Sequence, residues 1–100
     1  MKFAQIIDFE TDRIDEVSAL MRAYEDRSKE RSGAPVARTL LQDRANRNRY
    51  LAVVEFESYE AATANSALPE TNELAERLSA LMTRATVYTD CDVQDQSSTG

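Results

Sequence analysis

The sequence predicts an α+β domain in which four short strands form one antiparallel sheet, with helices on one of its faces. Three observations lead there. The chain has 100 residues, 42% hydrophobic and 30% charged, the balance of a folded chain with room for one core. Four short stretches are rich in β-branched and aromatic residues, the composition of strands. After the first stretch, and again before the fourth, apolar residues recur at spacings of three and four, the period of a helix. The order is therefore β-α-β-β-α-β, the ferredoxin-like arrangement. It is expected to occupy residues 1–93 as a single domain, with residues 94–100 as a flexible C-terminal tail.

Residues 2–10 form the first strand, whose alternating sets are Phe3, Gln5, Ile7, Phe9 and Ala4, Ile6, Asp8. Asp12 is expected to cap the following helix, with Asp15 and Glu16 in its first turn. Ile14, Val17, Leu20, Met21 and Tyr24 mark the buried face, and the helix runs to about Lys29. Gly33 and Pro35 then turn the chain. Residues 36–42 form the second strand and residues 50–56 the third, joined by a polar hairpin over residues 43–49 in which Asn supplies left-handed backbone. Ser58 caps a short helix to about Asn65, and Pro69 opens another with Leu74, Leu78, Leu81 and Met82 as its buried stripe. Residues 85–93 complete the sheet.

An antiparallel sheet covered on one face alternates apolar and polar residues where the other face meets water. Here both sets of the first and third strands are apolar, with only Asp8 and Glu55 interrupting. Ala4, Ile6, Leu51 and Val53 would form a contiguous apolar patch on the uncovered face, and such patches mark interfaces. The expected partner is a second copy of the chain, packed sheet against sheet.

Composition also narrows the chemistry. Twelve Lys and Arg against eighteen Asp and Glu leave a formal charge of −6, which argues against a nucleic-acid partner despite Arg44, Arg47 and Arg49 in the hairpin. There is no His, hence no imidazole acid/base or haem ligand, and the lone Cys91 cannot form an internal disulfide. Strand alternation separates Cys91 from Asp90 and Asp92, so no metal site is expected there. An acid at Asp8 comes too early for a signal peptide and no apolar run reaches membrane-spanning length, so a cytoplasmic protein without membrane contact is expected.

The stretch Val54-Glu55-Phe56-Glu57-Ser58-Tyr59-Glu60-Ala61, followed by Asn65, resembles the dimeric α/β-barrel superfamily, particularly its antibiotic-biosynthesis-monooxygenase-like group. The resemblance implies a homodimer of ferredoxin-like halves that pair through their sheets, with a small cleft in each subunit between helices and sheet. Members of that group include cofactor-independent oxygenases of quinols and polyketides, haem-degrading enzymes and proteins without assigned activity. Haem-degrading members carry a histidine and a tryptophan where this chain has Asn65 and Phe56, so haem is set aside and no cofactor is expected. Gln5 stands near a strand-one asparagine of those members.

If Phe56 faces the cleft, alternation brings Tyr50 to the same face, and Gln5 joins them from the first strand. Gln5, Tyr24, Arg38, Tyr50, Phe56 and Asn65 are thus the candidate ligand-binding residues, for an aromatic or polyketide-like molecule. Five of them have a plainer reading. Gln5 can bond a neighbouring side chain, Asn65 can cap its helix, the tyrosines can pack, and the stem of Arg38 can carry its charge to water. No nucleophile–base–orienter set emerges from the sequence, and no catalytic residue is specified. Two functions therefore stand side by side, a cofactor-independent monooxygenase and a non-catalytic dimeric binding or assembly module whose cleft is filled by its own side chains.

Overall fold

A computed structural model describes residues 1–29, 31 and 33–98 of the chain. The elements are β1 (Phe3–Glu10), α1 (Ile14–Ser28), β2 (Ala37–Gln42), β3 (Arg49–Phe56), α2 (Tyr59–Ser66), α3 (Pro69–Ser79) and β4 (Val87–Asp92). The strands form one antiparallel sheet in the order β2-β3-β1-β4, so the two most apolar strands lie at its centre. This is the ferredoxin-like fold expected from the order of elements.

Register decides which side chains share a face. Phe3 lies opposite Phe56, Gln5 opposite Val54, Ile7 opposite Ala52 and Phe9 opposite Tyr50, and these point toward the helices. Under α1 and α3, Phe9, Val17, Tyr50 and Ala52 form one core cluster, extended by Ile7, Ile14, Met21, Leu40 and Leu78. Phe9 stacks on Tyr50 with ring centroids 5.6 Å apart. A second cluster of Phe3, Phe56 and Ala62 lies under α2, with Val54 against it. Leu81 and Met82 fall in the turn beyond α3, yet still pack on the first cluster.

Several local expectations need correction. Arg13, not Asp12, is the N-cap residue of α1, and no side chain caps its first turn. The chain is anchored there by buried Thr11, whose hydroxyl donates to the Leu81 carbonyl (2.7 Å) and accepts from the Arg13 amide (3.0 Å). The β2–β3 hairpin uses no left-handed Asn, since Gly33 is the one positive-φ residue among the described residues. Its turn is closed by the Asp43 carboxylate, which accepts from the amides of Ala45 and Asn46. Arg49 belongs to β3 rather than to the hairpin tip. Ser58 does cap α2, accepting from the Ala61 amide at 3.1 Å, and Pro69 does open α3.

Arg49 and Asp8 lie on the face away from the helices, where Ala4, Ile6, Leu51 and Val53 also point. Asp8 accepts from Arg49 through both oxygens (3.1 and 2.8 Å) and from Arg84 (2.5 Å), while Arg49 also donates to Asp43 (2.9 Å). The hydrogen bonds from Arg49, then Arg84, hold the Asp8 carboxyl at about 2, against an ordinary 3.8. Because the folded value is depressed, the stabilisation is present above pH 3.8 and is lost as pH falls through 2. Asp8→Asn is expected to cost about 1–2 kcal/mol at pH 7 after allowance for solvent screening. Urea unfolding checks this, the gap between variant and parent closing as the pH is taken down to 2.

Candidate functional site

The site follows from helix periodicity laid over the sheet. Met21, Tyr24, Glu25 and Ser28 recur at helical spacing and present one face of α1 downward. Leu74 and Leu78, four apart, do the same for α3. Ile7 and Val54 from the central strands rise to meet them, and the segment of residues 34–38 forms the mouth. Together they enclose a cavity of about 380 Å³ that opens beside the β2 edge. Its volume falls in the range of small-molecule sites, ~300–1,000 Å³. Its walls are mainly apolar, with Glu25, Lys29 and Arg38 as the charged lining residues.

Behind one wall lies a hydrogen-bonded cluster centred on Tyr24, a buried residue that itself lines the cavity. The Tyr24 hydroxyl lies 3.2 Å from Asn65 Oδ1 and 2.6 Å from Thr71 Oγ1. Arg31 Nη2 donates to both the hydroxyl (3.1 Å) and Asn65 Oδ1 (2.8 Å), its Nη1 donates to Glu70 (3.0 Å), and its guanidinium sits 5.8 Å from the Tyr24 ring centroid. The phenol has a single proton, so two arrangements satisfy the cluster. Either Tyr24 donates to Asn65 and accepts from Thr71, or it donates to Thr71. In the first, Arg31 and Thr71 both aim donors at the phenolic oxygen, an arrangement that can hold an oxygen gaining negative charge. Beneath it, the Ser28 hydroxyl donates to the Tyr24 carbonyl at 2.9 Å.

Arg38 stands at the mouth. It lies opposite Val54 in the β2–β3 register, so its side chain is on the helix face, and its Nε donates to the Glu25 carboxylate of α1. Its side chain is only 24% exposed and lines the cavity instead of running out to water.

The six residues singled out in the sequence therefore separate. Tyr24 and Arg38 line the cavity, and Asn65 stands behind Tyr24 as its hydrogen-bond partner. Tyr50 and Phe56 do face the helices, but they are core residues outside the cavity lining. The Tyr50 hydroxyl accepts from Gln42 at 3.2 Å, and Phe56 packs on Phe3 with centroids 6.3 Å apart. Gln5 shares a cross-strand row with Val54 and Arg38, but its amide donates to Asp90 of β4 at 3.0 Å, away from the cavity. Arg31 and Thr71 were missed by the sequence reading. Arg31 lies beyond the end of α1, so no periodicity pointed to it.

Among the described residues, no group of three or more Cys, Asp or Glu side chains comes together as a metal site, and no helix is long and apolar enough to cross a membrane.

No protein-family model matches the chain, and no curated protein matches it. Solved structures do share its fold. A crystal structure of SnoaB, a cofactor-independent oxygenase from Streptomyces nogalater, superposes with a TM-score of 0.80 at 20% identity over 95% of each chain. A candidate antibiotic biosynthesis monooxygenase from Caulobacter crescentus matches at 10% identity over 94% of this chain and 91% of its own, with a TM-score of 0.80. Another from Deinococcus radiodurans matches at 13% identity over 100% and 99%, with a TM-score of 0.75. At such identities the likeness is one of fold, and the resemblance carried by residues 54–65 holds at that level.

Proposed function

From a fold shared with antibiotic biosynthesis monooxygenases, we propose that this chain binds a hydrophobic aromatic molecule in its helix–sheet cavity and oxygenates it without a cofactor. The observation that carries the reading is a cavity of about 380 Å³ with mainly apolar walls, lined in part by Tyr24, whose hydroxyl is held by the Arg31 guanidinium. Quinols and fused-ring phenols are the substrate class that such a site fits. Removal of the phenolic proton leaves an electron-rich anion able to reduce dioxygen. One oxygen atom enters the ring as the ring is oxidised to a quinone, and the other leaves as water.

The chain can contribute three things to that step. Ile7, Met21, Val54, Leu74 and Leu78 exclude water and hold the ring. Tyr24 supplies a hydroxyl through which a proton can pass, and Arg31 with Thr71 stabilises charge at that oxygen. Asn65 fixes the orientation of Tyr24. The open volume weighs against a module whose cleft is filled by its own side chains.

Oxygen uptake with a panel of fused-ring quinols and phenols tests the reading. Turnover that drops about 100-fold in Tyr24→Phe, with KM little changed, is the expected result. Absence of turnover across the panel would remove the catalytic reading. The same proposal includes a second copy of the chain packed on the uncovered sheet face, with the two cavities on the outer sides of the pair.

A further inference from the structure

We propose that Arg38 is an anion subsite at the cavity mouth, so that the preferred ligand is an aromatic molecule bearing a carboxylate or comparable acid, received in exchange for Glu25. The inference rests on the reading of the cavity as an aromatic site and adds the polar end of its ligand. It begins with donor capacity. A guanidinium offers five N–H groups in a rigid planar fork. Among the described residues, Arg38 makes one such bond, from Nε to Glu25, and neither of its Nη groups meets a protein acceptor. Arg31, by contrast, is committed to Glu70, Tyr24 and Asn65.

Position makes the spare donors useful. Arg38 is held at the β2 edge on the same cross-strand row as Val54, a floor residue of the cavity. A ring resting on Val54 and Leu78 could carry an acid group to this guanidinium at the opening. Charge points the same way. Among the described residues, the cavity lining holds Arg38 and Lys29 against the single acid Glu25, and Lys29 has no ion-pair partner there. That local excess of positive charge stands in a chain of net charge −6.

Glu25 is the built-in competitor. Its side chain is 45% exposed, so it can swing into water with little loss when a ligand acid replaces it. A ligand carboxylate arriving end-on could take two parallel N–H groups from the fork, a geometry stronger than the single contact to Glu25.

Titration calorimetry with 2-naphthoate and its neutral analogue 2-naphthalenemethanol, on the parent chain and two variants, tests this. The acid is expected to bind about 10-fold more tightly than the alcohol. Arg38→Gln should weaken the acid by about 10-fold or more while moving the alcohol less than about 3-fold. Glu25→Gln should move the acid in the opposite direction, tightening it by a few-fold, because the internal competitor is gone. Circular dichroism confirms that both variants are folded. Equal binding of acid and alcohol, or an acid affinity indifferent to both substitutions, overturns the anion subsite while leaving the aromatic cavity standing. Binding of neither compound overturns the cavity reading together with it.

Discussion

Phe9→Ala is expected to destabilise the chain by about 3–5 kcal/mol, the cost of a large core truncation plus the cavity it leaves. Phe9 is 2% exposed, stacks on Tyr50 and joins Val17 and Ala52 at the centre of the larger cluster. Because β1 pairs with both β3 and β4, no neighbouring strand can move in without breaking a ladder. A domain of this size loses roughly 4–8 °C in Tm per kcal/mol, so the shift should exceed about 12 °C. Phe9→Leu keeps most of the volume and is expected to cost about 1–2 kcal/mol. Thermal melts of the two variants check the order, and a loss below about 1 kcal/mol in the alanine variant would contradict the packing described.

If the proposed sheet-to-sheet pair forms, Val53→Asp is expected to abolish it while leaving the single chain folded. Val53 lies on the uncovered sheet face, flanked by Ile6 on β1 and Thr39 on β2, where a carboxylate is solvated in a single chain. In a two-fold pair packed sheet on sheet, the substitution places a charge in the interface from each copy. Burying those charges without partners costs about 4 kcal/mol or more, a factor of about 1,000 in the dissociation constant. Sedimentation equilibrium of parent and variant measures it. A parent chain that remains a single copy at high concentration would remove the paired arrangement.

The fold was legible because its signals are local and periodic. The two apolar sets of β1 and β3 and the stripe on α1 each repeat within one short segment, and Gly33, Pro35, Ser58 and Pro69 each punctuate the chain beside the element they end or begin. What escaped depends on contacts distant in sequence. Arg49 read as part of a solvated hairpin because its partner Asp8 lies 41 positions away. Thr11 displaced Asp12 as the anchor before α1 because its hydroxyl finds the Leu81 carbonyl, 70 positions on.

The site was legible by face and less so by place. Alternation correctly put Tyr50, Phe56 and Gln5 toward the helices, but alternation does not say where the helices leave a gap. That gap opens where Leu74 and Leu78 of α3 and Met21 and Tyr24 of α1 stand apart over Ile7 and Val54, between the two core clusters. Tyr50 and Phe56 instead fall under the places where packing is closed.

The proposed function requires the cavity between α1, α3 and the sheet to receive an aromatic molecule. Methyl-resolved NMR during titration with 2-naphthoate tests it directly. Shifts concentrated on the methyls of Ile7, Met21, Val54, Leu74 and Leu78, with Ile6, Leu51 and Val53 unmoved, are the expected result. Shifts confined to the uncovered face, or none at saturating ligand, would contradict it.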